Sequence, residues 1–339
     1  MTTRADAGLP IRLDGAPDMP GLRFRHYRGK VDLPAMLRVY SAAHAADGLE
    51  DVSTLEEFTL NYSTLVNCDP ERDIVLAEVE GELGAYARVF WTDLVEGGRS
   101  YECFGFIDPR WRRRGIGTAM HRHNEARLRE IAAGHPDVSP KWLASESIDA
   151  DPGNAALLRG AGYEPVRYFY DMVAPALDRL EPPPMPDGIE VRPASRDQYR
   201  TIWEANVEAF RDHWGETEPT ETDRKRFEAD PDNTDPRFWR IGWDGDQVAG
   251  VVITTVPEEE NEKHGRARVW VEDVSVRRAW RRRGLARALL ARSMVAARDE
   301  GFTSAGLGVD TANPTGALGL YESLGFAPER SFTAYRKPL

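Results

Sequence analysis

Arg268-Val269-Trp270-Val271-Glu272-Asp273-Val274-Ser275-Val276 is followed without a break by Arg277-Arg278-Ala279-Trp280-Arg281-Arg282-Arg283-Gly284-Leu285-Ala286. The first nine residues are rich in β-branched side chains and alternate, which predicts a strand with Trp270, Glu272, Val274 and Val276 on one side and Asp273 on the other. After Gly284 the apolar period lengthens. Leu285, Ala288, Leu289, Val295 and Ala296 fall within one arc of a helical wheel. A strand therefore passes through a short basic turn directly into a helix. The first turn of a helix presents unpaired N–H groups and the positive end of its dipole. A glycine at that point lets a ligand approach the backbone, small Ala286 keeps the approach open, and flanking arginines add charge. The turn suits a pyrophosphate.

Arg281-x-x-Gly284-x-Ala286 after a Val-x-Val strand resembles the acetyl-CoA signature of the GNAT superfamily of N-acetyltransferases. The resemblance continues into Asn313-Pro314-Thr315-Gly316-Ala317-Leu318-Gly319-Leu320-Tyr321-Glu322-Ser323-Leu324-Gly325-Phe326, similar to the second conserved segment of that family. A helix and a strand, Ala305 to Val309, separate the two pieces. The fold this implies is α/β of the α+β kind, a mixed, mostly antiparallel sheet flanked by helices.

At 339 residues the chain exceeds one ordinary domain, and 41% hydrophobic content can fill two cores. An internal repeat accounts for the length. Tyr101-Glu102-Cys103-Phe104-Gly105-Phe106-Ile107-Asp108-Pro109-Arg110-Trp111-Arg112-Arg113-Arg114-Gly115-Ile116-Gly117 parallels the opening stretch, Trp111 matching Trp280 and Gly115 matching Gly284. Ala161-Gly162-Tyr163 parallels Leu324-Gly325-Phe326. Earlier, Leu22 to Tyr27 corresponds to Ile189 to Arg192, and Asp73 to Val79 to Phe238 to Trp243. The expected organisation is an N-terminal GNAT domain over 1–180, a proline-rich, helix-excluding linker over 181–188, and a C-terminal GNAT domain over 189–339. The arrangement is similar to that of mycothiol synthase and its relatives, in which the C-terminal half is the active one.

The halves are unequal. Where the C-terminal half has Glu272 and Tyr321, the N-terminal half has Cys103 and Leu158. The N-terminal half keeps a phosphate-binding turn, with Ile107, Arg112, Arg113, Arg114, Gly115, Ile116 and Gly117 as candidate CoA contacts, and loses the candidate chemical groups. It is expected to bind CoA or to pack, without catalysing.

Moving an acetyl group from a thioester to an amine requires the two reactants to be held together and the amine to lose a proton, an alkylammonium like lysine having a pKa of about 10.4. The tetrahedral oxyanion needs a hydrogen-bond donor, and the leaving thiolate benefits from a proton. Glu272 is the candidate base, directly or through a water; the alternative is an ion pair with Arg268. Asp273 is the fallback base. Tyr321 is the acid that the resemblance implies, or else a core aromatic. Val274, Ser275, Val276, Arg281, Arg282, Arg283, Gly284, Leu285, Ala286 and Asn313 are the expected donor-binding residues, Asn313 at the head of the following helix, where it could bond the pantetheine or cap the helix. His213 and Trp214, in the loop Phe210 to Glu216, are placed with Glu272 against the acceptor, an amine on a small molecule. Glu258 to Glu260 read as an acidic loop.

Other classes fit poorly. The net charge of −12 opposes general affinity for nucleic acid or an anionic membrane. Cys68 and Cys103, the two cysteines, have no metal or redox spacing and suggest a reducing compartment, hence the cytoplasm. Met1 to Pro10 lacks an apolar signal core. No metal is expected, and a monomer or homodimer would suffice. Gly306-x-Gly308 begins like a dinucleotide fingerprint, but Thr311 stands where the third glycine belongs. The rival to an enzyme is a non-catalytic acyl-CoA-binding or regulatory tandem protein, in which Glu272 and Tyr321 would be structural.

Overall fold

The structure, a computed structural model, describes residues 8–50, 52–229, 233 and 235–339, so most of the Met1 to Pro10 stretch lies outside the described residues. The chain divides into two compact units, residues 1–166 with 333–339, and residues 167–332. The expected domains, divided at 181–188, differ from these units at both ends. Residues 167–180 and the proline-rich segment belong to the C-terminal unit, and the last seven residues belong to the N-terminal unit.

In the first part of the chain the elements are β1 (Pro10–Ile11), β2 (Arg23–His26), α1 (Leu33–Ala46), α2 (Leu55–Ser63), α3 (Pro70–Asp73), β3 (Ile74–Val79), β4 (Glu82–Asp93), β5 (Arg99–Ile107), α4 (Ile116–Ala133), β6 (Lys141–Ile148), α5 (Pro152–Gly160) and β7 (Glu164–Ala174). The remainder contributes β8 (Glu190–Arg192), α6 (Tyr199–Phe210), α7 (Glu221–Ala229), β9 (Arg240–Asp244), β10 (Gln247–Thr255), α8 (Glu258–His264), β11 (Arg268–Val276), α9 (Leu285–Asp299), β12 (Ser304–Asp310), α10 (Ala317–Glu322) and β13 (Ala327–Pro338). Glu258 to Glu260 are thus the first turn of a helix, where three carboxylates face the positive end of its dipole.

In the N-terminal unit the strands run in the order β1-β2-β3-β4-β5-β6, with the end of β13 beside β6. All pairs from β1 to β5 are antiparallel, and β5–β6 is parallel. Tyr335, near the end of β13, is 1% exposed and packs with Tyr101, Leu128, Leu143 and Leu158. Lys337 reaches Glu125 on α4 at 2.5 Å and donates to the Ala161 carbonyl. The closing residues of the chain therefore complete a core built by its first half.

The C-terminal unit repeats the plan with β7-β12-β11-β10-β9-β8, where only β11–β12 is parallel. One face of this sheet is covered by α9, whose Leu285, Leu289, Leu290 and Met294 pack with Val252, Val269, Val271 and Leu307. The other face is covered by α6, whose Ile202 and Ala205 pack with Val251 and Ile253. The buried stripe of α9 continues through Met294 and Ala297, whereas Val295 and Ala296 are half-buried.

Candidate active site

The strand β11 is not regularly alternating. Val274 pairs with Val252 and Asp273 with Ile253, but the next pair is Val271 with Thr254. Glu272 is the extra residue of a β-bulge, and this overturns the expected facing of the strand. Val269 and Val271 point to the α9 core, and so do Val274 and Val276 three residues on. Trp270 and Glu272 therefore do not share a face with Val274 and Val276. One inserted residue shifts a period of two by one, so the side-chain parity reverses across it. Both carboxylates reach the α6 face. Glu272 accepts a 3.0 Å hydrogen bond from the hydroxyl of Thr255, and Asp273 accepts one of 2.8 Å from Asn206 on α6. The expected opposition of Asp273 to Glu272 is likewise removed by the bulge.

Past Val271 and Leu307 the parallel pairing of β11 with β12 ends, and a cavity of about 260 Å³ opens at this level. It is lined by Glu272 and Val274 from β11, Gly308 and Asp310 from β12, His213 and Phe210 at the end of α6, Asn313, Tyr321 from α10, and Phe169, Tyr170 and Asp171 from β7. Four expected residues from distant parts of the chain, Glu272, His213, Asn313 and Tyr321, therefore meet around one space. Trp214 does not line it. Its ring lies 6.3 Å from that of Phe169 and beneath the guanidinium of Arg167. Arg268, the alternative partner considered for Glu272, pairs with Glu329.

Tyr321 is 7% exposed, and its ring meets Phe326 edge-on. Burial, reinforced by the nearby charge of Asp273, holds its hydroxyl well above the ordinary tyrosine range, so it stays protonated. Burial also pushes Asp273 up to about 6, partly opposed by the hydrogen bond from Asn206. His213 is shifted down by burial and is neutral at physiological pH. Its Nε2 lies 3.5 Å from the amide of Asn313. Asn313 does not stand at the head of α10, which begins after Gly316. It organises the preceding turn instead, accepting from the backbone N–H and hydroxyl of Thr315.

The basic turn has a divided role. Arg281 reaches inward, donating to the carbonyls of Val276 and Ala209 and pairing with Asp212 at 2.5 Å. Arg112 does the equivalent in the N-terminal unit, on Ile107, Ala43 and Asp47. These first arginines tie the turn to the end of α1 or α6. Arg282 and Arg283 are exposed, Arg283 touching the carbonyl of Asp187, and Leu285 is core. Arg282 and Gly284 both adopt positive φ, 61° and 81°. This brings successive N–H groups to one side, and the first N–H of α9 with a backbone acceptor is that of Ala288, on Gly284. Among the described residues, nothing lies within 4 Å of where a Cβ on Gly284 would stand. Of the adjoining strand positions, Val274 lines the cavity, Ser275 is buried on the α6 face, and Ala286 is half-buried.

The N-terminal turn has the same backbone, with Arg113 and Gly115 at φ 61° and 87°. Its surroundings differ. The ring of Pro17 lies 3.4–3.8 Å from the Cβ position of Gly115, Arg114 lies over Trp111, and a Cβ on Gly117 would strike Ile107 at 2.9 Å. Ile116 is core. Strands β4 and β5 pair one for one from Ala85 with Ile107 to Asp93 with Arg99, without a bulge. Cys103 and Leu158 are 3% and 1% exposed within one hydrophobic cluster, and burial pushes the Cys103 thiol up to about 12.

The acetyltransferase (GNAT) family model matches residues 36–136 and 200–326, once in each unit. The chain belongs to this family, whose members take acetyl-CoA as donor, and it is an acetyl-CoA-dependent N-acetyltransferase. A mycothiol acetyltransferase of Salinispora tropica is 27% identical over 301 residues, 88% of this chain and 92% of that protein. One from Thermobispora bispora is 28% identical over 309 residues, 90% and 96% of the two chains. Among solved structures, a GCN5-related N-acetyltransferase from Sphaerobacter thermophilus superposes with a TM-score of 0.70 at 26% identity, covering 95% of this chain and 96% of that one. A tandem GNAT protein of the clavulanic acid pathway shares the fold, with a TM-score of 0.60 at 16% identity over 94% and 98%. Among the described residues no helix is long and apolar enough to cross a membrane, and no group of acidic, histidine or cysteine side chains is arranged to hold a metal.

Sequence reasoning missed the contribution of Phe169, Tyr170 and Asp171, which precede the proline-rich segment and fall with the N-terminal half when the chain is divided there. It also missed Asn206 and Thr255, which hold the two carboxylates. Only the polar Asn206 within an otherwise apolar stripe of α6 marked one of them in advance.

Proposed function

We propose that the C-terminal unit carries the chemistry and transfers acetyl to a primary amine of a small molecule, while the N-terminal unit is catalytically silent. The observation that carries this reading is the meeting of Glu272 and Tyr321 around one cavity, set against the burial of Cys103 and Leu158 in an apolar cluster.

The amine enters protonated and gives a proton to Glu272, directly or through one water. Its nitrogen attacks the thioester carbonyl, and backbone N–H groups at the splayed end of β11 stabilise the oxyanion. Glu272 passes that first proton to solvent; the C–S bond then breaks, the nitrogen gives its second proton to the carboxylate of Glu272, and the thiolate takes the proton of Tyr321, which solvent restores. The support for Tyr321 as donor is its place in the lining beside Glu272, where its hydroxyl, protonated at neutral pH, meets the leaving thiolate. The turn from Arg281 to Ala286 receives the pyrophosphate on its N–H groups, with Arg282 and Arg283 as exposed counter-charges and Arg281 as a brace. Asn313 and Val274 line the path of the pantetheine.

The test is a panel of amines assayed for CoA thiol release. Release with at least one amine, abolished in Glu272→Gln, supports the reading. CoA binding without release from any amine favours the non-catalytic alternative. The similarity to mycothiol acetyltransferases supports a second reading, in which the acceptor is the one acted on by those relatives, and that amine belongs in the panel.

A further inference from the structure

We infer that the N-terminal unit binds a small aromatic carboxylate, its carboxylate held by Arg88 and its ring by the aromatic side chains around that residue. This gives a ligand to the unit read as catalytically silent, and it does not depend on where transfer occurs.

The place follows from strand parity. Val89 and Cys103 belong to the core that they share with Leu128 of α4, whereas Tyr86 and Phe106 pack with Leu33, Met36 and Val39 of α1. Arg88 on β4 pairs with Phe104 on β5, so both are turned towards the α1 side, as are Phe90 and Phe106. The pairing of β5 with β6 ends at Glu102 with Ala144, the level at which β11 leaves β12 in the other unit. Phe104 and Phe106 therefore lie beside a splay. Both are half-buried, as are Arg88, Phe90 and Tyr62. Counting back from the two basic turns, Phe104 stands where the C-terminal unit has Asp273. A face that is acidic in one unit is aromatic with a central cation in the other.

Arg88 marks this face as a site. Its guanidinium lies 4.7 Å from the ring centre of Phe104, 5.2 Å from that of Phe90 and 5.7 Å from that of Tyr62. Ring contacts engage the charge and leave the N–H donors without acceptors. Among the described residues the guanidinium has no hydrogen-bond acceptor and no ion-pair partner, and its Nε is buried in that state. The two terminal nitrogens, unlike Nε, are not sealed from the surface, so a carboxylate can reach them. Glu102, diagonal to Arg88 across the β4–β5 pair, accepts from Thr92 at 3.1 Å and does not pair with Arg88. Charge then decides the ligand class. One guanidinium matches one carboxylate, whereas a phosphate dianion calls for more cations. The rings of Phe90, Phe104 and Phe106 give a planar aromatic body faces and edges to pack on.

The experiment titrates the full chain with benzoate and with neutral benzamide, without acetyl-CoA, reading binding by ligand-observed NMR. Charge-assisted bonds set the expected preference for benzoate at about tenfold to a hundredfold. Arg88→Met should remove that preference, Arg88→Lys should keep part of it, and Phe104→Leu should weaken both ligands together. Equal affinity for the two, or no binding of benzoate, overturns the assignment in the wild type, where no variant has to fold. An unchanged preference in folded Arg88→Met also overturns it. Inorganic phosphate binding as tightly as benzoate would make this a plain anion site and overturn the aromatic class. Each result is read without thiol release and is separate from the test of the catalytic unit.

Discussion

Asp273 accepts its hydrogen bond from Asn206 on the face of β11 where Glu272 also emerges, one residue after a bulge that the N-terminal unit lacks. Its carboxyl is pushed up to about 6 by burial, against an ordinary value of 3.8. The folded protein therefore binds this proton more tightly than the unfolded chain does. Folded stability is favoured below pH 4 and is lost as pH rises through about 6. Asp273→Asn removes that dependence. Across this window the wild type should lose stability relative to the variant by up to about 2–3 kcal/mol, since each tenfold gain in proton affinity on folding is worth about 1.4 kcal/mol. Thermal unfolding of both proteins between pH 4 and pH 7 checks this, and parallel curves would show that the proton is not held.

Tyr321→Phe should lower kcat by about 10²–10⁴ and leave acetyl-CoA affinity nearly unchanged, because in the proposed mechanism the hydroxyl acts only as the thiolate leaves. Pre-steady-state kinetics and acetyl-CoA titration separate the two effects. An unchanged kcat would give the protonation step to water.

Arg281→Lys tests whether this arginine braces the turn. A lysine keeps the charge but cannot reproduce the fork on Asp212 and the carbonyls of Val276 and Ala209. Acetyl-CoA KM should rise by about tenfold, with a smaller change in kcat. An equal rise for Arg282→Lys, whose side chain is exposed, would contradict the division of roles among the three arginines.

The final residues of the chain should govern the stability of the N-terminal unit. Tyr335→Ala removes a fully buried ring from the cluster with Leu128 and Leu143, at a cost of about 3–5 kcal/mol. Hydrogen exchange should report faster opening of β5, β6 and α4. Unchanged protection there would mean that the end of β13 is dispensable to that core.

The repeat, the fold and both basic turns were legible in the sequence because each rests on local pattern. Trp111 and Trp280, Gly115 and Gly284 hold their spacing whatever the rest of the chain does. The bulge was not legible. Val269 to Val276 reads as plain alternation, and only pairing with β10 shows that Glu272 has no opposite number. The traded ends were hidden for a similar reason. Residues 167–174 and 333–339 join cores distant in sequence, and neither carries a signal of its destination. Asp171 was therefore not expected at the cavity that His213, Asn313, Glu272 and Tyr321 also line. The different surroundings of the two turns were also hidden, since Pro17 meets Gly115 only through tertiary packing.

The proposed division of labour gives the reacting donor to the C-terminal turn and leaves the N-terminal turn without a part in transfer. The most direct measurement is acetyl transfer by Gly284→Glu beside Gly115→Glu, both checked for folding by circular dichroism and thermal unfolding. The glycines have similar positive φ, 81° and 87°, so each substitution carries comparable backbone strain, and the folding checks read the added contact of residue 115 with Pro17. Gly284→Glu is expected to abolish transfer in a folded protein while Gly115→Glu retains it. Loss of transfer in folded Gly115→Glu with full activity in Gly284→Glu would contradict it.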